Sequence, residues 1–389
     1  MTTIPDAGRV ASYIFNENGR KPSKIPAGFG RQGCAIASVA KLNELGQYEK
    51  KGITMNLVKI LVAVGLSSLA SNAIAADAEV TVGWVPIVAP YITGICDGSF
   101  EKATGVKVNF QKFDSGAAIL SALASGAVDF SSLGSPPAAS AISKGLDVEV
   151  IWMAEYTVAG EALVGRSDRG IVGPQDLKGK KIATPFGSTS HYHLLVALKN
   201  FGISPSDVEI LNMTPPQIVA AWKRGYIDAS YVWDPILTNI IRDNGHQLVD
   251  SGQLAGWGEA IFDVLIANKV FASENGDFLT KYLKEMSRIN GEYRQDPEKW
   301  ASDKAHSDCL SNLVGVNPAD IPAQLKNYTF LTAKEEISSD WLGGGEGGRV
   351  ASWLGLTAKF LKDQGIVSAA DVDFKKAVND TYARAAAGE

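Results

Sequence analysis

Cysteine, histidine and methionine are scarce in this chain, with three, four and five copies among 389 residues. His191 and His193 stand two apart with no ligating partner nearby, and no Cys or His spacing suits a metal. No Gly-x-Ser-x-Gly turn is present, and no phosphate-cradling Gly-rich loop ends in Lys-Ser/Thr. A nucleophile elbow and a nucleotide-hydrolysing loop are therefore excluded, and no cofactor is implied. No apolar run reaches the roughly 20 residues that cross a bilayer comfortably. A basic surplus is also missing beyond the amino terminus. Residues 1–76 hold nine Lys/Arg against four Asp/Glu, whereas residues 77–389 hold 28 against 38. So acidic a body lacks the footprint of a nucleic-acid partner. Any anion it binds must be held by local geometry.

What is present is a globular composition, 46% apolar and 20% charged, long enough for two domains. Met55-Asn56-Leu57-Val58-Lys59 is a short basic start. An apolar run, Ile60 to Ala70, and a small-x-small site at Ala73-Ile74-Ala75 follow it. Residues 55–76 thus have the three parts of a secretion signal. A retained membrane anchor is the less favoured reading. Residues 1–54 show no apolar periodicity and read as an extension upstream of the true start. Secretion places the chain in an oxidising compartment. There Cys96 and Cys309 either pair or stay as buried thiols, and sequence does not decide between the two.

From Glu79 onward strand and helix signals alternate, twice over. Strands are expected at 79–84, 106–113, 128–131, 148–154 and 161–165, then at 181–184, 208–211, 227–232, 247–250 and 262–267. Helices lie between them, and almost wholly helical signals run from Phe271 to the end. This alternation implies an α/β fold with parallel sheets of βαβ units. Two such sets form two lobes: 77–164 as the first part of lobe 1, 165–260 as lobe 2, and 261–389 completing lobe 1. Ligands of open α/β sheets bind at the carboxyl ends of strands, which here means the cleft between lobes. Gly343 to Gly348 follows a helical region and reads as a flexible linker.

Three segments share one design of strand, small-residue turn and helix. They are Phe113-Asp114-Ser115-Gly116, Leu133-Gly134-Ser135-Pro136 and Phe186-Gly187-Ser188-Thr189-Ser190. Each presents free backbone N–H groups at a helix amino terminus, an arrangement that receives anions. Ser and Thr are also ordinary caps, so it is the recurrence in both lobes that points to a site. Ser115, Gly116, Gly134, Ser135, Ser188 and Thr189 are the candidates. His191 stands in the first turn of the third helix, as an anion donor or a plain turn residue. Asp263 sits inside the apolar run 260–266, where a carboxylate is costly unless paired. Glu161, Trp233 and Asp234 also stand at strand ends. Carboxylates there can hold an ammonium, with Trp84, Trp233 or Trp257 stacking on it. The alternatives are a structural ion pair for Asp263, core packing for the tryptophans, and a helix cap for Asp234.

The segments Phe113-Asp114-Ser115-Gly116-Ala117, Leu133-Gly134-Ser135-Pro136, Gly160-Glu161-Ala162-Leu163-Val164 and Pro185 to Tyr192 resemble the periplasmic taurine-binding proteins of bacterial uptake systems. So do Pro215 to Trp222, Tyr231-Val232-Trp233 and Asp263-Val264. The likeness runs from about Val80 to the carboxyl terminus. It implies the two-lobed type II periplasmic-binding fold, a ligand cleft between lobes that close on a solute, and no catalysis. It further implies that a sulfonate meets the helix amino termini and an amine meets an acid, with Asp263 first and Asp234 second. The implied partners are taurine or a similar small sulfonate and the permease and ATPase of an ABC transporter, with a monomer expected. Other alkanesulfonates, nitrate, a thiamine-precursor pyrimidine, an enzyme on the same scaffold and a cytoplasmic sensory module are the competing readings.

Overall fold

The computed structural model describes residues 79–344, 348–369 and 371–389. The expected extension and signal segment, and part of the glycine cluster, lie outside these residues.

Strands β1 (Glu79–Trp84), β2 (Lys107–Lys112), β3 (Phe130–Gly134) and β4 (Val148–Thr157) open the first sheet. A second sheet follows from β5 (Glu161–Arg166), β6 (Lys181–Thr184), β7 (Glu209–Asn212), β8 (Ala229–Trp233) and β9 (Gly245–Asp250). The chain then returns through β10 (Phe262–Asn268) and adds a two-residue edge, β11 (Tyr328–Thr329). The sheet orders are β11-β4-β10-β3-β1-β2 and β7-β6-β8-β5-β9.

β1, β2 and β3 are parallel, as are β6, β7 and β8. The two crossing strands depart from the all-parallel expectation. β5 runs antiparallel to β8 and β9, and β10 antiparallel to β3 and β4. Each enters its sheet from the other lobe, so it starts at the cleft end where the native strands finish. β5 pairs within the second sheet from Glu161 onward. The first crossing therefore falls at 158–160, ahead of the 164/165 boundary expected from sequence. β11 is the exception to an all-helical carboxyl region.

β10 shows why this sheet is covered on both faces. Val264 and Ile266 face one core cluster, Leu265 and Ala267 the other, so the strand reads as a continuous apolar run. The long helix Gly276–Gln295 covers the second face. Its buried residues Phe278, Leu279, Tyr282, Leu283, Met286, Ile289 and Tyr293 recur at helical spacing. Tyr282 stacks on Phe100 at 4.1 Å and meets Phe130 edge-on at 5.0 Å. Each such fully buried large side chain contributes about 1.5–3 kcal/mol. Cys96 and Cys309 form a disulfide.

The segment 320–328 ties the first crossing to the second lobe. Asn327 O accepts from Val158 N (2.8 Å) and Ala159 N (3.1 Å). Tyr328 Oη donates to Gly160 O at 3.2 Å, and Gln324 Nε2 to Thr238 Oγ1 at 3.0 Å. Arg242 pairs with Asp320. A Cβ on Gly160 would lie 2.1 Å from the Tyr328 ring, so only glycine fits beside that clasp.

Candidate functional site

Three helices begin at the cleft end of the sheets. Helix α1 (Gly116–Ser125) is capped by Ser115, whose Oγ accepts from Ala118 N at 3.3 Å. Helix α2 (Ser135–Ser143) follows β3 without a loop. Helix α3 (Thr189–Asn200) is capped by Ser188, which accepts from His191 N at 3.1 Å and donates to Pro185 O at 2.6 Å. These caps occupy only part of each first turn. The opening N–H groups of α1 and α3, at Gly116, Ala117, Thr189 and Ser190, have no intrahelical acceptor.

Between the lobes lies a small cavity of about 40 Å³. Gly116, Gly134, Ser188 and Thr189 line it together with Glu161, Trp233 and Asp263. Val85, Ile87, Ile119, Leu133, Pro137 and Thr157 complete its walls. Gly134 has a steric reason to be glycine. A Cβ there would stand 2.8 Å from Thr189 Cγ2 of the other lobe and 3.4 Å from Asp263 Oδ1. Trp233 spans the gap, its indole N–H donating to Pro86 O at 3.2 Å.

Two carboxyl groups face this space from the two crossing strands. Glu161, on β5, accepts from the hydroxyls of Thr189 and of Ser190, the latter at 2.7 Å. Burial pushes its pKa up to about 7, against the lowering effect of those hydroxyls. Asp263, on β10, is likewise pushed upward by burial. No Lys, Arg or His pairs with either among the described residues. A structural ion pair for Asp263 is thus not what the fold provides. Behind it, across the β10–β4 ladder, lies Glu155, which accepts from Tyr91 Oη at 2.8 Å.

Four expected site residues do not line the cavity. Ser115 acts as a cap. Ser135 is fully buried, and its Oγ accepts from Phe262 N at 3.3 Å, fastening α2 to β10. His191 stacks on Phe186 and accepts from Gly187 N at 3.3 Å through Nδ1. Burial depresses its pKa to about 4, so it is neutral and faces the adjoining groove. Asp234 is 1% exposed, and its oxygens are taken by Thr238 N (3.0 Å), Thr238 Oγ1 (2.6 Å) and Asn327 Nδ2 (3.1 Å). It belongs to the crossing clasp. Trp84 lies under Lys112, and Trp257 is 48% exposed beside Phe201.

Glu155 and Tyr91 are not among the residues that the sequence singles out. Glu155 carries the same signal as Asp263, a lone acid in the buried run of β4. The apolar wall residues left no signal apart from their place near strand ends.

A cleft between two α/β lobes, with helix amino termini on both sides and buried acids at the crossings, is the architecture of a solute-binding protein. The chain belongs to the NMT1-like family, whose signature matches residues 74–298. It is 38% identical over 318 residues to the taurine-binding periplasmic protein of Escherichia coli (strain K12), covering 82% of this chain and 97% of that protein. A putative aliphatic sulfonates-binding protein of the same organism is 26% identical, covering 63% of this chain and 76% of the relative. Among solved structures, the alkanesulfonate-binding protein SsuA of Xanthomonas axonopodis pv. citri, bound to MOPS, shares the fold. Its TM-score is 0.65 at 21% identity, covering 78% of this chain and 99% of that one.

Proposed function

We propose that this chain is the periplasmic solute-binding component of an ABC importer, and that its solute is taurine. The observation that carries this reading is Asp263, a half-buried carboxyl without a cationic partner, sharing a small cavity with the amino termini of α1 and α3. A sulfonate is ionised at any physiological pH and offers three acceptor oxygens. The first-turn N–H groups at Gly116 and Thr189 satisfy it without mobile cations. The ammonium two carbons away then neutralises Asp263, with Glu161 beside it. Trp233 supplies a wall, and the apolar residues exclude water from both ends. Kinship supports the same reading, since the relatives are binding proteins and none of those above is an enzyme. The closed pair of lobes is the surface that a permease and its ATPase would recognise.

Calorimetry with taurine and ethanesulfonate tests this. A ligand without the amine leaves a buried carboxyl unmatched, a loss of about 1–3 kcal/mol, or roughly 5- to 150-fold in affinity. Equal affinity for the two ligands would overturn the assignment.

A further inference from the structure

Asp263 does not stand alone. It is the cross-strand neighbour of Glu155 in the β10–β4 ladder; Asp263 is half-buried at the cavity wall, and Glu155 lies behind it. Glu155 is 0% exposed. Its Oε2 accepts from Tyr91 Oη at 2.8 Å. Its Oε1 faces no ordinary donor among the described residues, yet the two carboxyls lie within hydrogen-bonding reach of each other. The groups around the pair are Tyr91, Tyr328 and Glu161, with Tyr282 beyond Tyr91. None of these is a cation. Two adjacent ionised carboxylates here would repel each other and leave Oε1 unsatisfied. One proton between them removes both problems.

We propose that Glu155 is a positioning residue that keeps a proton and donates it as a hydrogen bond to Asp263, so that the pair presents a single negative charge to the ligand's ammonium. The deeper position of Glu155 assigns the proton to it. Asp263 lines the cavity and can be neutralised by the ligand, whereas Glu155 cannot. The Tyr91–Glu155–Asp263 chain then runs donor to acceptor toward the cleft and fixes the rotamer of the residue that meets the ligand. The pair then meets the ammonium with one charge and not two. Burial pushes Glu155 strongly upward in pKa, in keeping with a retained proton. This inference rests on the taurine reading above and sharpens its specificity.

The test uses the full chain and three variants, Glu155→Gln, Glu155→Leu and Asp263→Asn. Infrared difference spectra near neutral pH should show a protonated-carboxyl stretch in the taurine complex that disappears in Glu155→Gln. The Gln variant should keep taurine affinity within about threefold, because its amide still donates to Asp263. Asp263→Asn should lose about 100-fold or more, and Glu155→Leu about 10-fold or more. Thermal melting without ligand shows whether each variant is folded. A band unchanged by Glu155→Gln, or an affinity loss in that variant equal to the loss in Asp263→Asn, overturns the proposal. If the unaltered protein binds no taurine, the functional reading fails instead. The band in the ligand-free protein, compared with Glu155→Gln, then decides the proton by itself.

Discussion

The indole N–H of Trp233, at the end of β8, donates to the carbonyl of Pro86 just beyond β1, at 3.2 Å across the cleft. The ring that walls the cavity is thus also a bond between lobes. Trp233→Phe keeps most of the wall and removes the donor. The expected cost is one neutral hydrogen bond, about 0.5–1.5 kcal/mol, or roughly 2- to 13-fold weaker taurine binding. Because the bond exists only when the lobes meet, the loss should appear in the dissociation rate, read by stopped-flow tryptophan fluorescence.

Gly134 and Thr189 meet at the same seam. A Cβ at position 134 would sit 2.8 Å from Thr189 Cγ2, closer than such contacts occur. Gly134→Ala should lower taurine affinity by about tenfold or more, while the melting temperature without ligand stays nearly unchanged. Adding Thr189→Ser removes the methyl and keeps the hydroxyl that serves Glu161, so calorimetry should show recovery. No recovery would mean that closure is limited elsewhere.

Under the function proposed above, Glu161 should make binding depend on pH. Its carboxyl rises from an ordinary 4.5 to about 7 in the folded protein. The ligand-free fold therefore holds a proton that the unfolded chain has released, so this group's contribution to stability is present at low pH. That contribution is lost as pH climbs from 4.5 through about 7. An ammonium prefers the ionised form, so taurine affinity should rise with pH across the same window and level off above it. Ethanesulfonate should weaken instead, since carboxylate ionisation repels it. Calorimetry in buffers of different ionisation enthalpy should show proton release with taurine below about pH 7.

Asp234 is expected to matter for stability and little for selectivity. Its oxygens hold Thr238 and Asn327 beside the crossing. Asp234→Ala leaves these donors unmatched, at about 1–3 kcal/mol. Chemical denaturation should register that loss, while the ratio of taurine to ethanesulfonate affinity stays as in the unaltered protein.

The contrast between Asp234 and Asp263 shows how far the residues alone lead. Both follow or interrupt an apolar strand, and both looked available for an ammonium. Strand alternation, the two lobes and the three turns at Ser115, Gly134 and Ser188 were legible because apolar periodicity and small turn residues are local signals. Asp234 was settled by Asn327, 93 positions away, and no local pattern carries such a partner. The antiparallel entry of β5 and β10 escaped for the same reason, since strand direction depends on which sheet receives the chain. Glu155 was readable in principle, as the acid inside the buried stretch 150–155 of β4, but only its pairing with Asp263 gives it a meaning.

The two acids that face the cavity arrive on different strands. Glu161 travels with the outgoing strand of the second sheet, and Asp263 with the returning strand of the first. Under the function proposed above, halves that swing apart each take their own acid along, and the socket for the positive end of the cargo ceases to exist as a unit. Letting go of the solute would then not be a separate task for the proposed transporter. Prising the jaws open dismantles the grip.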